Sequence, residues 1–162
     1  AATGMARLLP PEQHTPAQQE SHALSRQLIG EIKRADTVVL GLPLYNYGPP
    51  STVKSWVDHL VAPGLSIAED GTGLLDDVEF VVLESRGGGY GSGTPPEGWD
   101  HADAWLPHAV SHTVLRPRFI TAELTMADSN PAMASLRPLA RESLDRVFVQ
   151  IDGLWESGER VA

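Results

Sequence analysis

The chain has 162 residues, which is enough for one hydrophobic core, and its 41% hydrophobic and 20% charged content is ordinary for a globular domain. Twelve basic against twenty-one acidic residues give a formal net charge of −9, so most of the surface would repel a nucleic-acid backbone or an anionic membrane. The absence of cysteine excludes disulfides, thiolate metal sites and a cysteine nucleophile. Without a long apolar run or a signal-like N-terminus, we expect a cytoplasmic protein with no nucleic-acid and no membrane partner.

The first predicted elements are a helix and a buried strand. Thr15 suits the N-cap, Pro16 the first helical position and Gln18 the third position of a capping box, and the helix should run to about Arg34. Its apolar stripe consists of Ala17, Leu24, Leu28, Ile29 and Ile32. Residues 37–42 form a short, β-branched apolar run without alternation, which predicts a central strand buried on both faces of a parallel sheet.

A polar, aromatic loop follows this strand. Pro43 ends the strand because it lacks a backbone donor and restricts Leu42 to extended geometry. The residues that then project beyond the carboxyl edge of the sheet are Leu44, Tyr45, Asn46 and Tyr47. Ligands of open α/β sheets bind at that edge. The alternative is that the two tyrosines only cap the core.

Three more helices and two more strands are predicted downstream. A helix capped by Ser51 or Thr52 ends at residues 63–64, and its predicted inward face consists of Val53, Trp56, Val57, Leu60 and Val61. Strands are expected at residues 78–83 and 118–124. A helix over residues 99–112 would contain Pro107 near its start or be kinked by it. A last helix should run from residue 130 to about Trp155, with Leu136, Leu139, Leu144, Val147, Phe148 and Ile151 as core positions.

A glycine-rich loop, residues 84–93, follows the second strand. It has neither a G-x-G-x-x-G spacing nor the Lys-Ser/Thr of a P-loop, which argues against a phosphate cradle, and a merely flexible loop is the alternative. Its most specific part is Ser85, Arg86, Gly87 and Gly88. Glycine permits close backbone approach to a flat ring, and a nearby serine or arginine can bind the polar edge of that ring.

The sequence carries weaker signals for two other chemistries, a metal site and a serine hydrolase. His108 and His112 lie four residues apart, with His101 and Asp103 one or two turns earlier, but no glutamate stands between the two histidines as in a catalytic zinc helix, so exposed or hydrogen-bonded histidines are favoured over a metal site. A Ser-His-Asp hydrolase lacks support because no G-x-S-x-G elbow is present.

Two motifs at matching spacing carry a resemblance to a known family. Pro43 to Tyr47, followed by Ser51-Thr52 at a helix start and by Ser85 to Gly88 after the next strand, resembles the FMN-dependent NADH-azoreductase family of flavodoxin-like NAD(P)H:quinone reductases. The resemblance covers nearly the whole chain from Thr15. It implies an α/β flavodoxin-like open parallel sheet with helices on both faces, as a single domain over residues 1–162.

The resemblance also implies a function. The family's P-x-Y-N-[FY] and S-R-G-G loops hold the isoalloxazine ring of FMN, so the implied cofactor-binding residues are Pro43, Leu44, Tyr45, Asn46, Tyr47, Ser85, Arg86, Gly87 and Gly88. The flavin would carry hydride from NADH or NADPH to quinones or azo compounds in a ping-pong cycle, with no catalytic side chain and no metal. Arg86 and backbone amides would stabilise negative charge on the reduced ring, and a homodimer is expected.

The sequence departs from the family pattern in two places. The family begins with a strand, a phosphate-binding loop, a helix and a second strand, and none of these precedes Thr15, so either the chain is a fragment or the protein lacks the FMN phosphate site. Residues 65–75 lack the family's aromatic residues, so substrate preference does not carry over. A non-catalytic flavodoxin-like binding module or trimmed paralogue therefore stands as the alternative.

Overall fold

The computed structural model describes residues 13–154. The helices are α1 (Pro16–Ile32), α2 (Ser51–Leu60), α3 (Ala102–Val110) and α4 (Arg137–Asp152), and the strands are β1 (Thr37–Pro43), β2 (Glu79–Ser85) and β3 (Pro117–Ala122). Short 3-10 helices at Ser111–Thr113 and Pro131–Leu136 precede β3 and α4. The strands form one sheet in the order β1-β2-β3, and β2 pairs with β3 in parallel. The alternation of helices with strands of this sheet confirms the α/β class.

The described residues divide into two compact units. The first, called here the helical unit, contains residues 13–38, 51–79 and 106–116. The second, the sheet unit, contains residues 39–50, 80–105 and 117–154 and therefore most of the sheet, α4 and both predicted ligand loops. None of the helices between residues 13 and 154 is long and apolar enough to cross a membrane.

In the helical unit, α1 begins as its sequence predicts. The Thr15 hydroxyl accepts a hydrogen bond from the Gln18 amide, and the Gln18 side chain accepts one from the Thr15 amide, which completes the capping box. The predicted stripe is correct at Ile29 and Ile32, but Ala17 and Leu24 are exposed. In their place Ser25 is buried, because its hydroxyl lies 2.9 Å from His59 Nδ1 on α2. The buried residues of α2 are Val53, Val57 and Leu60, all on its predicted face.

In the sheet unit, the core lies between β2, β3 and α4. Val81 and Ile120 from the strands pack with Val147 and Leu154. The predicted core positions Leu139, Leu144 and Phe148 are wrong, since their side chains are 51%, 45% and 56% exposed. The buried stripe of α4 is narrow and runs through Ser143 and Val147. Ser143 lies in this stripe because its hydroxyl accepts a hydrogen bond of 2.9 Å from the Glu123 amide.

The prediction for β1 was also partly wrong. β1 ends where Pro43 predicts, but within the described residues it stands at one end of the strand order rather than in its centre. Val39 is 51% exposed, whereas Leu42 is fully buried. An apolar run without alternation predicts that both faces of a strand are covered and does not show how many strands flank it; residues 13–154 supply β1 with one neighbour, β2.

The third predicted helix is shorter than expected. α3 begins at Ala102, after Asp100, whose carboxylate accepts the Ala102 amide at 2.7 Å and the Asp103 amide at 3.2 Å as an N-cap. Pro107 lies inside α3. His112 falls in the following 3-10 turn rather than in α3.

The segment before β2 depends on a close backbone approach at Gly73. A Cβ at this position would lie 2.6 Å from the Thr113 carbonyl carbon, and the Leu75 amide donates to the Thr113 oxygen nearby. We expect Gly73→Ala to lower the free energy of unfolding by about 1–3 kcal/mol, the usual cost of overpacking. Gly30→Ala is the matched control, because in α1 a new Cβ meets the flexible end of Arg34.

Gly30→Ala should raise the free energy of unfolding by about 0.5–1 kcal/mol, since it removes backbone entropy from the unfolded chain. Urea unfolding of both variants checks whether their free energies of unfolding change in opposite directions. A Gly73→Ala variant as stable as the parent would show that the segment shifts without cost.

Candidate functional site

The two predicted ligand loops begin side by side at one edge of the sheet unit. The Leu44 amide, the first after β1, donates a hydrogen bond of 2.8 Å to the carbonyl oxygen of Ser85, the last residue of β2. The two loops therefore start at the ends of strands that are neighbours in the sheet. We call residues 44–48 the tyrosine loop and residues 85–91 the glycine loop.

The tyrosine loop closes on itself as a tight turn. The Tyr45 amide donates to the Gly48 oxygen at 3.0 Å, and the Gly48 amide donates back at 3.1 Å. The two central residues, Asn46 and Tyr47, have positive φ angles of 48° and 66°. Asparagine tolerates this left-handed geometry, but for tyrosine it costs about 1–2 kcal/mol. A tyrosine held in this conformation indicates a local function for its ring or for the backbone it shapes.

The ring of Tyr47 belongs to an aromatic cluster. Its centroid lies 5.5 Å from that of Trp99 and 6.2 Å from that of Tyr90, both with edge-to-face geometry, and its carbonyl accepts the His101 amide at 3.0 Å. Trp99 is 53% exposed and Tyr45 is 66% exposed. The loop therefore presents aromatic surface to solvent instead of burying it as a core cap.

The glycine loop is held by its carbonyl groups. The oxygens of Arg86, Gly87 and Gly88 accept from the amides of residues 125, 126 and 124 at 3.0, 3.3 and 3.0 Å. A Cβ at Gly87 would lie 3.0 Å from Met126 Sδ, so a side chain there would press on the segment that holds the loop. These contacts argue against the alternative of a merely flexible loop.

The amides of the same loop remain available. Within residues 13–154, no hydrogen-bond acceptor is assigned to the amides of Gly87, Gly88 and Gly89, nor to those of Asn46 and Tyr47. The glycine loop thus combines backbone donors with little side-chain bulk, and the tyrosine loop combines them with aromatic side chains. This donor set suits a flat ligand with acceptor atoms along its edge.

Arg86 is surrounded by carboxylates and is mostly buried. Its guanidinium nitrogens lie 2.9 Å from Glu84 Oε2, 2.6 Å from Asp100 Oδ2, 3.1 Å from Asp103 Oδ2 and 3.3 Å from Glu123 Oε1. The side chains of Glu84 and Asp100 are 0% and 5% exposed, and that of Arg86 is 11% exposed. We call these five residues the Arg86 cluster. The guanidinium faces protein carboxylates, so the charged end of Arg86 is already engaged.

One arginine does not neutralise this cluster. Burial raises the pKa of Glu84 from 4.5 to about 7, and the negative charge of Asp100 acts in the same direction against the attraction of Arg86. Glu84 Oε1 is buried without a hydrogen-bond partner. Burial opposes the charge of Arg86 as well, but the attraction of Glu84, Asp100 and Asp103 outweighs it and raises the pKa of the guanidinium. A carboxyl group that titrates near neutral pH therefore lies at the base of the glycine loop.

Sequence reasoning missed most of this cluster. It identified Arg86, but not Glu84, Asp100 or Glu123, which reach the guanidinium from the ends of β2 and β3 and from the start of α3. A weak signal was present, because Asp100 is a good N-cap for α3. No local pattern connects Glu123 with Arg86, which are 37 residues apart.

The histidine-rich segment forms no metal site in the part of the chain that the structure describes. No group of three or more histidine, aspartate or glutamate side chains in residues 13–154 is arranged to hold a metal ion. His101 and His108 are exposed, and His112 lies beyond the end of α3.

Comparison with known proteins gives a consistent group of relatives. A protein-family model described as having a flavodoxin-like fold matches residues 2–129. An FMN-dependent NADH:quinone oxidoreductase of Frankia alni is 40% identical over 144 residues, which cover 88% of this chain and 68% of that protein. The enzyme of the same name from Streptomyces avermitilis is 40% identical over 134 residues, which cover 82% of this chain and 61% of that protein. The chain thus spans roughly two thirds of the length of these relatives.

Solved structures support the same fold. An azoreductase from Bacillus anthracis str. Sterne superposes with a TM-score of 0.66 at 20% identity, over 88% of this chain and 73% of that one. An FMN-dependent NADH-azoreductase from Bacillus anthracis str. Ames Ancestor, solved in complex with FMN, gives a TM-score of 0.66 at 17% identity, over 92% and 73% of the two chains. At these identities the likeness establishes the fold.

The raised pKa of Glu84 predicts how stability changes with pH. Because the folded protein holds this proton up to about pH 7 and the unfolded chain releases it near pH 4.5, stability is lost as the pH rises between these values. Glu84→Gln removes that loss. We expect the variant to be more stable than the parent at pH 8, by about 1–3 kcal/mol, and nearly equal to it at pH 5.

Thermal or urea unfolding at pH 5, 6.5 and 8 measures this difference. Asp70→Asn is the matched control, because Asp70 is a fully exposed carboxylate in the helical unit and its replacement should not produce the same trend. A Glu84→Gln variant that is less stable at pH 8 would show that the ionised carboxylate stabilises the fold.

Proposed function

This chain belongs to the family of proteins with the flavodoxin-like fold, and from that premise we propose that it acts as an FMN-dependent NADH:quinone oxidoreductase. The relatives from Frankia alni and Streptomyces avermitilis carry this activity in their names. The observation that carries the proposal is the meeting of the tyrosine loop and the glycine loop at one edge, where their unpaired amides lie on adjacent segments.

The donor set of this edge fits a flavin ring. An isoalloxazine is flat and carries carbonyl and imine acceptors along its pyrimidine side, and glycines without side chains allow its plane to approach the backbone. The residues proposed to hold the ring are Pro43, Leu44, Tyr45, Asn46, Tyr47, Ser85, Arg86, Gly87 and Gly88. Of these, Arg86 would act through the backbone of its loop, because its guanidinium faces four carboxylates.

The role proposed for the chain's own residues is to bind the flavin ring and to orient it. When bound, FMN supplies the hydride transfer chemistry. Amides of residues 87–89 would donate to the edge of the ring, and such fixed donors favour negative charge that develops near them. The exposed ring of Tyr45 and the Tyr47 cluster would limit the access of water to the same edge. No side chain is assigned a covalent step.

The two substrates would use one open edge in turn. NADH is the donor named for the relatives, and a quinone is the acceptor. Azo compounds are the second acceptor class in this proposal, because structural neighbours of the chain are azoreductases. NADPH is the second donor proposed, as the resemblance to the family implies. Alternate use of one site gives ping-pong kinetics, with parallel lines in double-reciprocal plots. A cytoplasmic location is part of the proposal, because NADH is a cytoplasmic metabolite.

The purified full-length protein provides the test of function. We expect it to bind FMN, to show flavin absorption, to be bleached by NADH without oxygen and to regain its colour when a benzoquinone is added. A folded protein that binds no FMN would instead support a non-catalytic flavodoxin-like binding module.

We also propose that the protein is a homodimer. The exposed aromatic side chains of the sheet unit, Tyr45, Tyr47 and Trp99, offer apolar area of the kind that subunit interfaces cover. Light scattering of the full-length protein at micromolar concentration should give twice the mass of one chain. A monomeric mass under these conditions would contradict the proposal.

Asn46 provides a test of the tyrosine loop. If its side chain donates to the flavin edge, we expect Asn46→Asp to slow flavin reduction by NADH more than tenfold, because a carboxylate replaces the donor with a negative charge. Asn46→Gly removes the donor alone and should cost about tenfold, roughly 1.4 kcal/mol. Both replacements tolerate the positive φ of 48° at this position, so the turn should survive.

Asn46→Ala is unsuitable as the main variant, because alanine in left-handed geometry adds strain of about 1–2 kcal/mol. Stopped-flow reduction of the parent and the two variants is the measurement, with thermal unfolding as the check on the fold. Equal rates in all three proteins would limit Asn46 to a role in the turn.

A further inference from the structure

The Arg86 cluster has an arrangement that the proposed function does not yet use, and the inference drawn from it rests on that function. We propose that Arg86 is a positioning residue for the flavin: its ion pairs with Glu84, Asp100 and Glu123 hold the glycine loop in the conformation that presents the loop amides. Arg86 then acts without touching the ring. The alternative is that its guanidinium contacts the flavin directly.

Both ends of the amide-bearing segment are tied to one carboxylate. Glu123 Oε1 lies 3.3 Å from Arg86 Nη1 and accepts the Tyr90 amide at 2.8 Å. Residues 87–89 therefore span between two groups that bind the same oxygen. The Glu123 amide in turn donates to the Ser143 hydroxyl on α4, which fixes the backbone that carries this carboxylate against α4. This closure sets the loop conformation independently of any ligand.

The guanidinium also joins three separate chain segments. Glu84 belongs to β2, Glu123 follows β3, and Asp100 caps α3. A planar guanidinium with several donors can contact carboxylates on different sides, whereas a lysine ammonium is a single point charge. Asp100 Oδ2 lies 2.6 Å from Arg86 Nε but lacks hydrogen-bond geometry, so its attachment is mainly ionic. Replacement of the guanidinium should release the loop even where the positive charge is kept.

The strength of this hold should depend on whether Glu84 is ionised. Arg86 and Asp100 face Glu84, and the Thr121 hydroxyl donates to Glu84 Oε2 at 3.0 Å; Asp103 and Glu123 reach Arg86 from its other sides. Ionised Glu84 attracts Arg86, and the protonated form does not. The pKa of Glu84, raised to about 7 by burial, places this change between pH 6 and pH 8. Flavin affinity should therefore fall as Glu84 becomes protonated.

The first experiment measures FMN affinity by fluorescence quenching of FMN added to full-length apoprotein at pH 8. We expect the Kd to rise about tenfold in Arg86→Lys and further in Arg86→Gln. The matched control is Arg141→Gln, an exposed arginine on α4, whose Kd should be unchanged. Circular dichroism confirms that each variant is folded. An unchanged Kd in folded Arg86→Lys would overturn the proposal.

The second experiment separates positioning from direct contact. Glu84→Gln should bind FMN about threefold more weakly than the parent at pH 8 and equally at pH 5.5, although it is expected to be the more stable protein at pH 8. The double variant Arg86→Gln with Glu84→Gln should bind FMN more tightly than Arg86→Gln, because it leaves fewer buried carboxylates without a cation. If Arg86 touched the flavin, the Glu84 change would rescue nothing and the pH dependence would persist in Glu84→Gln.

Failure of the inference differs from failure of the proposed function. If the parent protein binds no FMN, the proposed function is wrong, and the inference that rests on it falls with it. If the parent binds FMN while the Arg86 and Glu84 variants match it at every pH, the function stands and the positioning role is overturned.

Discussion

The hydrogen bond from the Leu44 amide to the Ser85 carbonyl is the contact on which the candidate site depends. Pro43 has no amide hydrogen, so the strand ladder of β1 ends there and the next donor, Leu44, closes it onto the last residue of β2. Because this bond joins the two strand ends, the two loops that leave them start at one place. The tyrosine loop then turns back on itself through Asn46 and Tyr47, and the glycine loop carries no side chains at residues 87–89.

The elements that the sequence predicted well are those set by local chemistry. The capping box at Thr15, the end of β1 at Pro43 and the buried face of α2 all follow from residues within one or two turns of each other. The errors concern which face of a helix is buried and which strands are neighbours in the sheet. Leu139 and Phe148 of α4 are apolar at helical spacing yet exposed, because the helix turns a buried serine toward the strands, and spacing does not reveal which stripe a partner covers.

The candidate site likewise has one part that the sequence predicts, the two loops, and one part that it does not, the Arg86 cluster. Its two loops could be located from sequence, because strand ends followed by proline or glycine are visible in the chain, and the family resemblance named the same residues. The Arg86 cluster could not be predicted, since it depends on which strand ends become neighbours in the sheet. Nothing in the sequence near Glu123 indicates that its carboxylate binds both Arg86 and the Tyr90 amide. Long-range pairing of charges is decided by topology.

The carbonyl groups of residues 86–88 are already bonded to the amides of residues 124–126, and this has an entropic consequence. A free glycine segment loses more conformational entropy on ordering than any other, and a ligand that had to order it would bind more weakly by that amount. Here the ordering occurs when the chain folds. The glycine loop is thus ordered before any ligand arrives, and the proposed affinity for a flat ring would be set by contacts rather than by the freedom of its backbone.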